Sequence, residues 1–389
     1  MIAMNNFGEM MRYEIRKILC RRITIVVLSV VTLLMIAMNV GEYIGGEKLI
    51  NAEEKALSGR VVDDDMLSDM REAIELKEAT LSDGEPIVVG ISPKDVAYDP
   101  LMNYLYMLGG NYDKAYNMTQ DKLYSTFEGV IDDALREQHL TDKEIQYWND
   151  KRSDNPPLLT YGRIQNGWGD SVTIIYAASL FILIAVAATL SGVFSDETSL
   201  KTDALIFSSV NGKKKLAIVK ILAGITVGLI ETVTVMFACI GTEFAISGFD
   251  GSKTSVQFFV GPTLMDMEIW KALVWYIFIM IIIGILFSVM TMCLSEVCHN
   301  SIAVVAIMML LWLLSVLNIP YSFNVLSRIW RFFPVTFLGS WTFTDYRLIN
   351  FFGKYLTIIE SAPIIYFCLI VVMTVITKMS YNKYQVKGR

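Results

Sequence analysis

The charged residues best placed to do chemistry lie in one polar stretch, residues 194–215, between two apolar runs. It contains the acidic pair Asp196 and Glu197 and the lysines Lys201, Lys213, Lys214 and Lys215, and Lys220 follows in the second run. Side chains of both charges beside apolar anchors suit a groove on a partner protein. The stretch contains neither histidine nor cysteine, the residues most often used for proton transfer and thiol chemistry. The stretch is therefore predicted to bind a partner protein and not to catalyse a reaction.

The apolar runs that flank this stretch predict membrane-spanning helices. Residues 171–193 carry no charge, and residues 216–244 are apolar except for Lys220, Glu231 and Glu243. Each run is long enough to cross a bilayer, which takes roughly 20 residues. Because the connector between the runs is short, both of its ends lie at the same membrane face. Its lysines place that face in the cytoplasm.

Within the connector we predict an amphipathic helix over residues 195–212. The face that would enter a partner's groove is formed by Leu200, Ala204, Leu205 and Ser208. The charged residues at its start and edges are Asp196, Glu197, Lys201 and Asp203. Such a helix either docks on a partner protein or lies on lipid headgroups, and the pattern of the helix alone does not separate the two.

The composition divides the chain into two parts of opposite charge. The whole chain is 54% hydrophobic, above the ~45–50% of ordinary soluble proteins. Residues 41–170 carry 26 acidic and 13 basic side chains, whereas the remainder carries 13 acidic and 20 basic ones. An acidic hydrophilic block is therefore inserted into a basic, apolar membrane protein. Its charge argues against nucleic acid as a partner.

The hydropathy pattern predicts an all-α polytopic membrane protein with six transmembrane helices and both termini in the cytoplasm. Residues 1–22 form an amphipathic helix on the inner surface, and residues 23–40 form the first span. Residues 41–170 form a mainly helical, α or α+β, extracytoplasmic domain. The other five spans are predicted within residues 171–385, at 171–193, 216–244, 270–294, 301–319 and 361–377.

Residues 320–360, before the last span, combine aromatic side chains with arginines such as Arg328, Arg331 and Arg347. By parity this segment is external, yet it is basic, against the usual distribution of positive charge. A re-entrant or interfacial pair of helices broken at Pro334 accounts for both features.

Inside the acidic block the local patterns are mostly helical. Residues 121–138 place apolar side chains at helical spacing, and Thr141 with Glu144 forms a capping box that opens another helix. Residues 86–100 are expected to hold one or two short strands. The block contains no cysteine, so a folded core and not disulfides must hold it together.

Glu231 is the charged residue nearest the middle of a predicted span. A charge there is costly, so it is expected either to line a substrate path or dimer seam, or to be protonated and hydrogen-bonded to a neighbouring helix. Lys220, Glu243 and Glu360 lie nearer helix ends and are expected to reach water. No cofactor or metal is predicted, since no zinc motif or catalytic constellation is found.

The layout and residues 194–220 resemble the permease subunit of ABC transporters of the six-helix exporter class. In that family an acidic residue ends the second span, and a coupling helix, a small-residue turn and a lysine opening the third span follow. Here Glu197, Leu200, Leu205, the turn at 208–212 and Lys220 stand at those places, although Val210-Asn211-Gly212 replaces the frequent proline. The resemblance covers roughly residues 1–45 and 168–385 and leaves the acidic block unassigned.

The resemblance implies an ATPase on a separate chain, which Asp196, Glu197, Leu200, Lys201, Ala204, Leu205 and Ser208 would contact. The sequence agrees, because Gly212 and Gly353 lack the phosphate-binding context of a Walker A motif. The chain is then not itself an enzyme. It would form a homodimer, or a heterodimer with a sister permease, in the plasma membrane of a bacterium.

Two interpretations of the function remain open. In the first, the chain exports an amphipathic substrate such as a peptide, drug or lipid, and the acidic block favours a cationic ligand. In the second, it is a mechanical transmitter, sensor or immunity protein whose external domain acts without any substrate crossing the membrane. An intramembrane enzyme is disfavoured because no catalytic group was found.

Overall fold

The computed structural model describes residues 2–44, 57–82, 93–153, 159–162, 167–199, 214–265, 267–317 and 319–383. The helices in chain order are α1 Ile2–Leu19, α2 Arg22–Ile44, α3 Asp64–Ser82, α4 Pro93–Gly109, α5 Tyr112–Tyr116, α6 Gln120–Glu137, α7 Asp142–Ser153, α8 Gly167–Leu190, α9 Gly192–Ser199, α10 Lys214–Ser247, α11 Gln257–Val260, α12 Ile269–Cys298, α13 Ser301–Val316, α14 Asn324–Trp330, α15 Pro334–Phe337 and α16 Ile358–Lys383. A 3-10 helix covers Ser340–Thr344, and the strands β1 Ile349–Phe351 and β2 Lys354–Leu356 form an antiparallel hairpin.

Among the residues that the structure describes, five helical segments are long and apolar enough to cross a membrane, which agrees with an all-α polytopic membrane protein. They are Arg22–Gly41, Gly167–Glu197, Lys215–Ser247, Ile269–Cys298 and Ile358–Lys383. The fifth predicted span, residues 301–319, corresponds to α13, an apolar helix of only 16 residues.

The apolar helices pack around α8, which contacts α2, α10, α12 and α13. The side chains of α8 itself are mostly apolar on every side of the helix. The helix therefore has no polar face and lies inside the bundle. By contrast, α2 and α16 expose most of their surface and lie at the edge. The amphipathic helix α1 packs against α10.

Small residues set the close approach of α10 and α12. Gly224 and Gly228 on α10 face Met292 and Ser288 on α12, while Gly284 on α12 faces Thr232. A Cβ atom at Gly228 would overlap the Ser288 hydroxyl and lie 2.9 Å from its Cβ. Glycine lets two helix backbones approach closely where a larger side chain would separate them.

We expect Gly228→Ala to destabilise the protein by about 1–3 kcal/mol, because the added methyl overfills a packed helix contact. Gly241→Ala is the matched control on the same helix, since a Cβ atom there meets nothing within 4 Å. The control is expected to be neutral or stabilising by up to about 1 kcal/mol. Thermal unfolding of both purified variants in detergent measures the difference. Equal midpoints would contradict the close-contact explanation.

The polar block between α2 and α8 folds as a helical domain, here called the inserted domain, described over residues 57–82, 93–153 and 159–162. The predicted amphipathic helix is confirmed as α6, with Leu123, Phe127, Ile131 and Leu135 buried. The domain's two ends pair with each other, since Val62 N–H donates to Leu159 O at 2.9 Å and Tyr161 N–H donates to Arg60 O at 2.8 Å.

The strand prediction for residues 86–100 is wrong over residues 93–100, where α4 begins; residues 86–92 lie outside the described residues. Pro93 occupies the first turn, where its missing N–H and fixed φ suit a helix. Tyr98, Leu101 and Leu105 are buried at helical spacing. Packing of this apolar face against α3 and α6 favours the helix.

Residues 319–357 before α16 form a compact layer, here called the cap segment, that contains α14, α15, the 3-10 helix and the hairpin. The predicted helix break is confirmed, since α14 ends at Trp330 and Pro334 opens α15. The hairpin was not predicted. Its turn residues Phe352 and Gly353 both have positive φ, 50° and 88°, as type I′ turns require.

Candidate functional site

A cluster of charged side chains lies near the ends of α9 and α10 that flank residues 200–213 of the connector. Lys220 on α10 is fully buried. Its Nζ forms an ion pair with Glu197 of α9 and donates to Val193 O at 2.8 Å. The expectation that Lys220 reaches water is therefore wrong, because a carboxylate and a carbonyl stabilise its ammonium group inside the protein.

The helix α1 and the turn that follows it add further charges to this cluster. Arg21 Nη1 lies 3.1 Å from Asp196 Oδ2. Lys17 Nζ lies 3.5 Å from Glu14 Oε2 and 4.0 Å from Glu197 Oε1. We call these residues the connector cluster: Glu14, Lys17, Arg21, Asp196, Glu197 and Lys220. Its three acidic and three basic side chains balance, as a mostly buried charge cluster requires.

Ser295 of α12 attaches the start of α9 to the bundle. Its Oγ accepts hydrogen bonds from Phe194 N–H at 3.3 Å and Ser195 N–H at 3.1 Å, and donates to Ser191 O. These two N–H groups lie in the first turn of α9, where a helix has no backbone acceptors of its own. The Ser295 side chain of α12 thus caps the amino-terminal end of α9 and fixes α9 against α12.

The predicted partner-contact residues divide into two groups. Asp196 and Glu197 lie in α9 and belong to the connector cluster. The residues Leu200, Lys201, Ala204, Leu205 and Ser208 lie outside the described residues. The predicted helix over 195–212 therefore stays a prediction, and residues 195–199 are helical as the end of α9. The pair Glu197–Lys220 joins the two sides of the connector.

Glu231 lies on α10, about 16 Å along the helix from Lys220 at 1.5 Å per residue. It is fully buried, and its Oε2 lies 3.1 Å from Thr189 Oγ1 of α8. A hydrogen bond to a neighbouring helix was one of the two expected arrangements, whereas a role in a substrate path or dimer seam stays a prediction. Glu243 is also fully buried, so the expectation that it reaches water is wrong; Glu360 is exposed, as expected.

At the opposite end of the bundle, Glu144 joins the inserted domain to the cap segment. Its carboxylate accepts two hydrogen bonds from Arg328, at 2.8 and 2.9 Å, and one from Leu348 N–H at 2.7 Å. The predicted capping box is confirmed, since Thr141 N–H also donates to Glu144 at 2.8 Å. Burial raises the pKa of Glu144, but these hydrogen bonds outweigh it and lower the pKa to about 2.

Two further side chains of the inserted domain hold the same strip of the cap segment. Trp148 Nε1 donates to Tyr346 O at 2.6 Å. Gln138 donates to Thr344 O at 2.7 Å and accepts from Tyr346 N–H at 2.8 Å. We call this set of contacts, with those of Glu144, the cap junction. Since the bonds of Gln138 and Trp148, and the one from Leu348 to Glu144, involve the backbone of the cap segment, the junction fixes where that segment lies.

Within the cap segment, one carboxylate holds two arginines. Asp345 accepts from Arg331 at 3.0 Å and from Arg347 at 2.6 and 2.9 Å, and all three side chains are buried. Burial raises the pKa of Asp345, but the two guanidinium groups outweigh it, so its pKa is lowered and it is ionised at neutral pH. Two cations against one anion leave an excess positive charge here.

Comparison of the chain with protein-family models, with curated proteins and with solved structures found no match.

Proposed function

We propose that this chain is the membrane-spanning permease subunit of an ATP-driven exporter, coupled through its connector to a separate ATPase. The observation that supports this most is the buried pair Glu197–Lys220, which joins the two sides of the connector at its base. When the ATPase displaces a connector that is fixed in this way, α8–α9 and α10 move together. A flexible surface loop would bend instead, and the helices would not move.

The opposite ends of the same two helices are also joined. Trp168 Nε1, at the start of α8, donates to Phe249 O at 2.9 Å, and its ring packs on Phe244 of α10 at 4.9 Å between centroids. The helices α8 and α10 are thus attached to each other at both ends. A displacement at the connector would reach the inserted-domain end as a rigid-body movement.

We further propose six membrane crossings, with α13 as the fifth. Two residues separate it from the end of α12. The carbonyl of Leu317, just beyond the last residue of α13, accepts a hydrogen bond from Trp330 Nε1 of the cap segment at 2.8 Å. At 1.5 Å per residue, its 16 residues cover about 24 Å, short of the roughly 30 Å hydrocarbon core. The cap segment, which packs on its end, would fill the remaining depth.

The orientation follows from the charges near the connector. Lys17 and Arg21 belong to the connector cluster, and the sequence of the connector carries Lys201, Lys213, Lys214 and Lys215. This excess of basic residues supports a cytoplasmic position for the connector end of the bundle. Both termini would then be cytoplasmic and the inserted domain external, in a bacterial plasma membrane. Two such chains, or one with a sister permease, would bind two ATPase subunits.

The test is co-purification of the tagged chain from its native membrane in mild detergent. A nucleotide-binding ATPase is expected to accompany the unmodified chain and to be lost from the variant with Leu200→Asp and Leu205→Asp. Val325→Asp, a similar change at an exposed position of the cap segment, is the control and should retain the ATPase. If no ATPase accompanies the unmodified chain, or if the connector variant retains it, the proposal is wrong.

The cap junction favours a second candidate function, in which the inserted domain is the moving part and nothing is transported. Because Glu144, Gln138 and Trp148 fix that domain to the cap segment, movement of the bundle would reposition it. ATP-dependent changes in proteolysis of the inserted domain, without ATP-dependent export of a labelled amphiphile from vesicles, would favour this candidate. Export in the same vesicles would exclude it.

A further inference from the structure

A cavity of about 580 Å³ lies beneath the cap segment, between α12, α13 and α16. Its volume is within the range of small-molecule sites, about 300–1,000 Å³. The walls are formed mainly by aliphatic, methionine and aromatic side chains, and the cap segment forms the roof. Two lining residues, Ile329 and Leu369, are also 60% and 40% exposed, so the cavity opens on the apolar outer surface of the bundle.

Three buried hydrogen-bond donors in the cavity wall have no acceptor among the described residues. They are Trp312 Nε1, Arg331 Nε and Tyr366 Oη. Tyr366 is fully buried and Arg331 is 5% exposed. A buried polar group without a partner is unfavourable, and such groups are uncommon in folded proteins. Three of them around one cavity indicate that a hydrogen-bond acceptor belongs there.

The donors lie near the cap end of the cavity. Trp312 is in the last turns of α13, Arg331 is in the cap segment, and the Tyr366 ring packs on Phe337 of the cap segment at 5.8 Å. The excess positive charge of Arg331 and Arg347 over Asp345 lies in the same layer. The site therefore combines a polar, positive end with an apolar interior open to the side.

We propose that this cavity binds one acyl chain of an anionic phospholipid, with the lipid phosphate accepting hydrogen bonds from Trp312, Arg331 and Tyr366. The apolar walls and lateral opening suit a hydrocarbon chain entering from a bilayer. The donors and the positive charge suit a phosphate. This inference goes beyond the proposed function, because it concerns the opposite end of the bundle and holds whether or not an ATPase binds the connector.

The test measures thermal unfolding of the full-length chain in detergent with three probes: dioleoyl phosphatidylglycerol, dioleoyl phosphatidylcholine and inorganic phosphate. A ligand that binds the folded state raises the unfolding midpoint. We expect a saturable rise with phosphatidylglycerol, a weaker one with phosphatidylcholine and none with inorganic phosphate. Equal responses to the two lipids, or a response to inorganic phosphate alone, would overturn the proposal.

Tyr366→Phe separates binding from folding. It removes a hydroxyl that has no hydrogen-bond partner in the described part of the chain, so the midpoint without lipid should be unchanged or higher. The phosphatidylglycerol concentration giving half the response should rise about tenfold or more, which is the effect of losing a hydrogen bond to a charged group. If Tyr366→Phe responds to phosphatidylglycerol as the unmodified chain does, the assignment of Tyr366 and the proposed site are wrong.

A cavity-filling variant and a matched control complete the experiment. Leu286→Trp fills the cavity and should abolish the response to phosphatidylglycerol. Ala245→Trp fills a second apolar cavity of about 580 Å³ on α10, which has no charged side chain in its lining, and should leave the response intact. Loss of the response in Ala245→Trp but not in Leu286→Trp would place the lipid at the other cavity and overturn the proposal.

Discussion

Replacement of Lys220 by methionine is expected to destabilise the protein by about 3–5 kcal/mol, the usual cost of removing one member of a buried ion pair. The ammonium group of Lys220 is fully buried, and its partner Glu197 is only 8% exposed. Without Lys220, the Glu197 carboxylate would lie in the protein with Lys17, 4.0 Å away, as its basic neighbour. Thermal unfolding in detergent measures the loss.

Lys215→Met is the matched control, because Lys215 lies on the same helix and is exposed. Its effect should be within about 0.5 kcal/mol of zero. The double variant Glu197→Gln with Lys220→Met removes both charges and should recover most of the stability lost in Lys220→Met. If Lys220→Met and Lys215→Met unfold at the same temperature, the buried pair does not stabilise this end of the bundle.

The double variant also tests the proposed coupling. Once both charges are removed, the ion pair between the two sides of the connector is lost, while Arg21–Asp196 and the Ser295 hydrogen bonds still hold α9. We expect ATPase binding to persist, because Glu197 is the one predicted contact residue that changes and its side chain is buried, while ATP-driven export falls. Export equal to that of the unmodified chain would show that the ion pair serves stability and not transmission.

Acidification is expected to weaken the cap junction through Glu144. Because the folded-state pKa is about 2 and the ordinary value is 4.5, its contribution to stability is complete above pH 4.5 and is lost as the pH falls towards 2. The difference in pKa corresponds to about 3 kcal/mol. Protonation removes the negative charge that Arg328, Thr141 and Leu348 stabilise.

Glu144→Gln isolates this contribution from that of other carboxylates. At pH 7 the variant should be less stable than the unmodified chain by about 3–5 kcal/mol, since Arg328 loses its anionic partner. The gap should narrow between pH 4.5 and pH 3. Glu137→Gln, at an exposed position at the end of α6, should show neither effect. A gap that stays constant from pH 7 to pH 3 would contradict the assignment.

Local patterns in the sequence predicted the elements of this protein well. Uniform apolar runs placed the long helices, because a helix buried on all sides needs no polar face. The Thr141–Glu144 pattern predicted a helix start, since both groups satisfy N–H groups of their own first turn. Helical periodicity likewise placed α6. In each case the interacting groups lie within a few residues of one another.

The contacts that build the two ends of the bundle could not be predicted in this way. Glu144 and Arg328 are 184 residues apart, so their pairing depends on how the inserted domain and the cap segment pack. The burial of Lys220 likewise depends on α1 and α9. A signal existed in each case: a lone lysine within an apolar run requires a counter-charge, and the arginines of the cap segment complement the acidic domain.

The cap junction also determines when this chain can finish folding during synthesis. Glu144 accepts a hydrogen bond from the backbone N–H of Leu348, 204 residues further along the chain. Trp148 donates one to the backbone carbonyl of Tyr346, 198 residues further along. At about 5–20 residues per second, a ribosome needs roughly 10–40 s to make that length. Until then, water takes the place of the cap segment at this polar edge of the inserted domain. The domain is therefore completed only after residue 348 has been synthesised, and a product truncated before it would present an unfinished surface to chaperones and proteases.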